Sequence, residues 1–339
     1  MSRGLGDVYK RQEPGRDRID VKDVLAAITS HLNTATVDGD SPSDKRYFSI
    51  HHLHNNSSVS AADLRLYRAA LSKTLNSLSS KRAIAVPEAI DKQETVFSID
   101  LNDYGWDVDR WKSAIKSYPY GVKWRSADLN RVTNLINQQM GGALNGADSV
   151  PFIRADWFIR TATRPPVYEL LLDLPNTLGE LEAKIGVNVQ QDFRIGSRAL
   201  QRAGFSGSGV SRHNRLVDRH SGNGMNVDYY YKSYDFAKSS GRGAISLFPL
   251  GPKFEGDPFR FDGTAFEHDG GEVIWSLPNG LQAYMLGDAA GNRLPGDEAP
   301  IKIVRDVNEF AGTPVITNGI SCIGCHKKGI IDYSDNIQN

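Results

Sequence analysis

The sequence predicts an α+β fold: a mainly helical first half and antiparallel strands with hairpins in the second half. Three observations predict it. Apolar residues recur at helical spacing through most of the first two hundred positions. From about residue 204 that period gives way to glycine-rich turns and short alternating runs. Asn279-Gly280 then separates two such runs, the strongest short-range hairpin signal. Helices first and strands second argue against repeated βαβ units.

Asp20 can cap a helix over 20–33, with Val21, Val24, Leu25, Ile28 and Leu32 on one face. Residues 44–55 read as a short helix bearing His51, His52 and His54. Ser60 and Asp63 form a capping box before a helix over 61–78, lined by Leu64, Tyr67, Leu71, Leu75 and Leu78. Thr95 to Leu101 alternates as a strand does. Asp107 opens a helix with Val108, Trp111, Ile115 and Tyr118 on one face, and another spans 127–140 before Gly141. Phe152–Ile159 and Val167–Leu172 look helical, and Thr177 with Glu180 caps a helix ending at Gly186. Strands are expected at Tyr229–Phe236, Ala244–Leu250, Glu272–Pro278, Leu281–Gly287 and Ile301–Arg305.

The 339 residues are 40% hydrophobic and 24% charged, which suits a globular chain able to bury a substantial core. Lys+Arg and Asp+Glu are both 40, and no long basic run occurs, so nucleic-acid binding has no electrostatic support. No transmembrane stretch of about 18 apolar residues is present. Residues 1–12 have neither apolar periodicity nor a secretory apolar region, and read as an artefactual tail like a translated sequencing adapter. The expected organisation is a mainly helical region over 13–203, a β-rich region over 204–310, and a separate segment over 311–339.

The two cysteines lie within four residues, in Cys322-Ile323-Gly324-Cys325-His326. C-x-x-C-H is the attachment pattern for c-type haem. Two thiols one helical turn apart can reach two vinyl groups on one porphyrin edge and form thioethers. His326 then supplies a ring nitrogen to the iron, its other nitrogen donating to a backbone carbonyl. A zinc half-site and a redox dithiol are the alternatives. Zinc wants four ligands, and the dithiol wants a preceding strand in a βαβ unit.

Asn318 to Ile330 resembles the opening of a class I cytochrome c domain. The resemblance implies one covalently attached haem c, held by Cys322, Cys325 and His326. It also implies a truncated start of an α-helical cytochrome c domain over 311–339, whose sixth ligand, usually methionine, would lie beyond Asn339. The segments Ile99–Trp106, Val150–Trp157, Arg212–Arg215 and Leu277–Gln282 are similar to those of large bacterial cytochrome-c-domain proteins of unknown function. On this basis the chain is expected to be a fragment of an electron-transfer protein, periplasmic or extracellular, with a redox partner protein. A peroxidase-like haem enzyme or haem-based sensor is the second expectation, and a binding module with an appended haem segment the third.

Met285 and His268 are candidate distal ligands. Met285 lies on the strand after the hairpin turn. His268 stands with Asp269 and Glu272 beside a Gly-Gly turn. Each has a plainer reading as packing or as turn polarity, as do the His51/His52/His54 cluster and His213 with His220. Gly204–Gly209 lacks the strand–loop–helix setting of a nucleotide fingerprint. Lys327 and Lys328 are candidates for docking an acidic partner.

Overall fold

The computed structural model describes residues 16–121, 123–142, 150–222, 224–296 and 299–337. The proposed tail over 1–12 lies outside them. The chain is mixed α/β, with ten α-helices and two sheets among the described residues, one sheet wholly antiparallel. It divides into two compact units, 1–162 and 163–339.

The first unit contains α1 (Val21–Asp38), β1 (Lys45–Ser49), α2 (His51–His54), α3 (Ala61–Asn76), β2 (Glu88–Ala89), β3 (Val96–Asp100), α4 (Val108–Ala114), α5 (Ala127–Gln139), β4 (Ile153–Arg154) and α6 (Ala155–Ala162). The capping box at α3 forms as expected. The Asp63 backbone N–H donates to Ser60 Oγ at 3.1 Å, and the Ser60 N–H donates to the Asp63 carboxylate at 2.9 Å. The sheet order is β2-β3-β1-β4, with β1 antiparallel to β3 and parallel to β4. Phe48, Trp111 and Phe158 meet in the core, ring centroids 4.8–5.8 Å apart.

The second unit contains α7 (Val167–Leu171), α8 (Leu178–Ile185), α9 (Val189–Ile195), β5 (Leu200–Phe205), β6 (Arg215–His220), β7 (Tyr230–Asp235), β8 (Gly270–Ser276), β9 (Gln282–Asp288) and α10 (Ile320–Cys325). Its strands form a meander in sequence order, β5-β6-β7-β8-β9, antiparallel throughout. The hairpin at Asn279-Gly280 is present between β8 and β9. The Leu277 N–H donates to the Leu281 carbonyl at 2.7 Å, and Gly280 takes φ +83°.

Because side chains alternate across a strand, the meander has two chemically different faces. Leu216, Asp218, His220, Tyr230, Tyr234, Val273, Trp275, Ala283 and Met285 share one, by their registers. There Val273, Trp275, Ala283 and Met285 pack with Leu178, Leu181 and Ile185 of α8. Ala203, Phe205, Arg215, Val217, Tyr231, Ser233, Glu272, Ile274 and Tyr284 share the other.

Several sequence expectations change. Residues 45–49 are a strand rather than part of a helix, because Lys45–Ser49 pairs with β3 over its whole length, Lys45 against Asp100 and Ser49 against Val96. Residues 244–250 and 301–305 form turns rather than strands. The Leu247 and Phe248 N–H groups donate to the Ala244 carbonyl, and those of Ile303 and Val304 donate to the Pro300 carbonyl. Apolar alternation makes a strand only where a partner supplies the ladder. The stretch after 204, expected to be loop, opens inside β5 and includes β6. The division between units falls after Ala162 rather than after 203, because α8 and α9 contribute to the core of the meander. Residues 311–337 belong to that same unit.

Candidate functional site

The sequence around α10 explains how its thiols are held. Gly319 precedes the helix at φ +88°, a left-handed conformation that favours glycine. A Cβ there would stand 2.6 Å from the Thr163 carbonyl oxygen and 2.9 Å from the Tyr168 ring. Gly324, between the two cysteines, lies under Phe310, whose ring would be 2.5 Å from a Cβ. Both glycines therefore let α10 sit close against its neighbours. The helix hydrogen bond from the His326 N–H to the Cys322 carbonyl, 2.8 Å, fixes the turn that joins thiols and imidazole.

Cys322 and Cys325 are both unbridged. Cys322 is buried at 5% exposure and Cys325 is half-buried. Burial pushes both thiols up, Cys322 strongly, and the Glu272 carboxylate adds to each shift. His326 Nδ1 lies 3.2 Å from the Gly329 carbonyl oxygen. A carbonyl only accepts, so this contact places a proton on Nδ1; in the neutral imidazole the lone pair is then on Nε2. The imidazole also lies 5.8 Å from the Tyr284 ring, tilted by 32°.

Cys322, Cys325 and His326 line one wall of a cleft of about 760 Å³. That lies within the roughly 300–1,000 Å³ of small-molecule and cofactor sites. These three residues are joined there by Phe205, Val217, Tyr231, Ile274, Ile331 and Tyr333, giving apolar and aromatic walls. Arg215 and Arg219, on the same face of β6, supply positive charge. The carboxyl-terminal segment walls one side. The Asn336 N–H donates to the Gly204 carbonyl at 3.1 Å, Asp335 accepts from the Gly204 N–H at 3.0 Å, and Tyr333 packs against Phe205.

Arg215 is the most deeply buried cation lining the cleft, at 7% exposure. Its guanidinium meets Asp235 at 3.2 Å, Glu272 at 2.5 Å and Ser233 Oγ at 3.0 Å. Burial disfavours its charge, but the two carboxylates outweigh that and hold its pKa above the ordinary arginine value. Burial raises Asp235 to about 6, partly opposed by Arg215 and reinforced by Glu272. Arg215 and Asp235 were not singled out by motif. The signal that could have found them is the alternation Arg215, Val217, Arg219 along β6, charge at every other apolar-facing position.

The other candidates are not brought to this cleft. Met285 is fully buried on the opposite face of the sheet, in the cluster with Val273 and Trp275. Its role there is packing, as a distal ligand must reach the face that holds His326. His268 packs against Tyr234 and Phe266, centroids 5.1 and 6.1 Å away, and burial lowers its pKa to about 4. It too is apart from the residues that line the cleft. Its companion Glu272 does line the cleft.

His220 and Asp218, also on the opposite face, form buried pairs: His220 Nδ1 with Asp192 at 2.9 Å, and Asp218 with Arg202 at 2.7 Å. The first unit holds a separate polar network. His51 Nδ1 lies 2.8 Å from Ser49 Oγ, His52 Nε2 lies 3.0 Å from Asp156, and His54 Nε2 donates to the Asp17 carbonyl at 3.0 Å.

Among the described residues, no three His, Cys, Asp or Glu side chains converge as a metal-chelating cluster, and no helix is long and apolar enough to cross a membrane. No protein-family model matches the chain, and neither a curated protein nor a solved structure is detectably similar to it.

Proposed function

We propose that the chain is the haem-bearing part of a c-type cytochrome that transfers electrons. The observation that supports this best is the pairing of C-x-x-C-H on α10 with an apolar cleft of cofactor size, lined by all three of its functional side chains. The residues fit the group. Two thiols at helical spacing suit two thioethers, Nε2 of His326 is an available nitrogen ligand, and aromatic walls suit a planar macrocycle. Arg219, one of the arginines lining the cleft, would offer a positive charge to a propionate.

When bound, the haem would supply one-electron ferric–ferrous chemistry. The chain's own residues do the rest. Cys322 and Cys325 anchor, the Gly329 carbonyl orients His326 through Nδ1, and Phe205, Tyr231, Ile274 and Tyr333 exclude water and so tune the potential. Residues 311–339 would be the opening of a class I cytochrome c domain. Assembly outside the cytoplasm and a redox partner protein belong to the same reading, with exposed Lys327 and Lys328 beside the motif to meet acidic groups on that partner.

A haem enzyme or sensor is the second reading. It is favoured by one observation: among the described residues lining the cleft, His326 is the sole histidine and methionine is absent.

The test is production of the chain with a c-type maturation system. The expected result is an intact mass raised by one haem that survives denaturation, and a reduced absorption spectrum typical of c-type haem. Cys322→Ala and Cys325→Ala should each leave a single thioether. A chain that leaves maturation without covalent haem overturns the proposal. A low-spin six-coordinate spectrum supports electron transfer, whereas a high-spin spectrum that shifts with peroxide or carbon monoxide supports the enzyme or sensor.

A further inference from the structure

Arg215, Asp235 and Glu272 come from three adjacent strands and meet through the Arg215 guanidinium; Arg215 and Glu272 line the large cleft, and Asp235 lies behind them. When both carboxylates are ionised, two negative charges share one guanidinium, leaving a buried excess of one negative charge. Such a group answers a nearby change of charge by binding or releasing a proton.

A second, smaller cavity of about 50 Å³ lies against the same pair. Asp235 and Glu272 line it together with Asp269 and Asp288. Asp269 is exposed and Asp288 half-buried, so this cavity joins the pair to the outer surface. It exceeds the roughly 15 Å³ that a water needs, and it offers several acceptors. Glu272 lines both spaces, so the pair stands between a route to solvent and the cleft holding α10.

We infer that Asp235 and Glu272, bridged by Arg215, form a proton-accepting pair coupled to the electron taken up beside Cys322, Cys325 and His326. The inference rests on the proposed haem function and names its regulation. One electron arrives from a one-electron reductant and one proton from solvent. The proton bonds to a carboxylate oxygen of the pair, whose ion pair with Arg215 weakens. On oxidation both leave.

The charged and titratable groups facing the pair are Arg215 from β6, Tyr284 and Asp288 from β9, Asp269 before β8 and, until haem is attached to them, Cys322 and Cys325 from α10. Ser233 adds a hydroxyl 3.3 Å from Asp235. The four carboxylates outnumber the guanidinium, so the surroundings favour proton uptake. The elevation of Asp235 to about 6 agrees with this.

The experiment measures midpoint potential against pH by spectroelectrochemistry on the full chain carrying covalent haem. Attachment is checked first by intact mass, so failure of the haem reading is seen separately from failure of this inference. The wild-type potential should fall as pH rises between about 5 and 8. The slope should approach a tenfold change in the redox equilibrium per pH unit, about 59 mV for one electron. Asp235→Asn and Glu272→Gln should each flatten that slope and raise the potential at pH 8, with Glu255→Gln on an exposed loop as a control that keeps it. Circular dichroism reports whether each variant is folded. A flat wild-type profile overturns the inference even if both variants misfold. A wild-type slope retained in a folded Asp235→Asn or Glu272→Gln variant overturns it equally.

Discussion

His268 and His51 are each held to a pKa of about 4, chiefly by burial, against an ordinary value of 6.5. A histidine whose folded value is depressed contributes stability above its unfolded pKa and loses it as pH falls through the folded one. Between pH 6.5 and 4 the unfolded chain binds more protons, so both units should weaken with acid, by on the order of 3 kcal/mol per histidine. His268→Phe keeps a ring in the slot beside Tyr234 and Phe266. It is expected to flatten the acid slope of the second unit in urea denaturation series. Met285 is tested by truncation. Met285→Ala removes a fully buried side chain and should cost about 2–5 kcal/mol in a denaturant titration, while leaving covalent haem attachment intact. Loss of attachment with stability unchanged would contradict the packing role. The thiols differ in exposure, so iodoacetamide should modify Cys325 before Cys322 in the unmatured chain, read by peptide mass.

At the scale of elements, end signals were the most legible feature. Ser60/Asp63 and Thr177/Glu180 both form reciprocal capping boxes. Ser60→Ala should lower stability by about 1 kcal/mol, visible as a fall in the melting temperature of the first unit. The Asn279-Gly280 hairpin was equally readable, because a two-residue turn is specified by its own backbone angles. β1, β5 and β6 were not. Their ladders are made with segments far along the chain or across glycine-rich loops, and local period carries no record of the partner. The apolar run at 244–250 shows the converse: with one isolated bridge, Pro249 to Ala265, and no ladder, it closes on itself in a turn. Gly319 gives an element-scale test: Gly319→Ala forces a side chain into a left-handed conformation against Thr163 and Tyr168. It should displace α10 and reduce haem attachment more than Gly179→Ala on α8, whose Cβ meets nothing within 4 Å.

At the scale of the molecule, each unit has its own sheet and its own buried aromatic or aliphatic cluster. The second unit contains every residue that lines the large cleft. A chain of residues 163–339 is therefore expected to accept covalent haem during maturation, checked by intact mass. An unfolded product would show that the unit depends on the first. The carboxyl-terminal segment over 333–337 covers the outer edge of β5, and open sheet edges invite pairing with other chains. Its contacts make the segment part of the cleft wall rather than a free extension.

The sequence by itself determined the chemistry at α10. Two thiols one turn apart followed by histidine are contiguous, so their spacing alone states which atoms can act together. It also determined the capped helices and the Asn-Gly hairpin, whose causes are local. Only the tertiary structure decided what surrounds that chemistry. It set Met285 on the face of the meander away from His326, and His268 among aromatic rings. It brought Arg215, Asp235 and Glu272 together from three strands. The physical reason is the two-residue period of a strand: which face a side chain takes depends on register, and register is settled by pairing with distant segments.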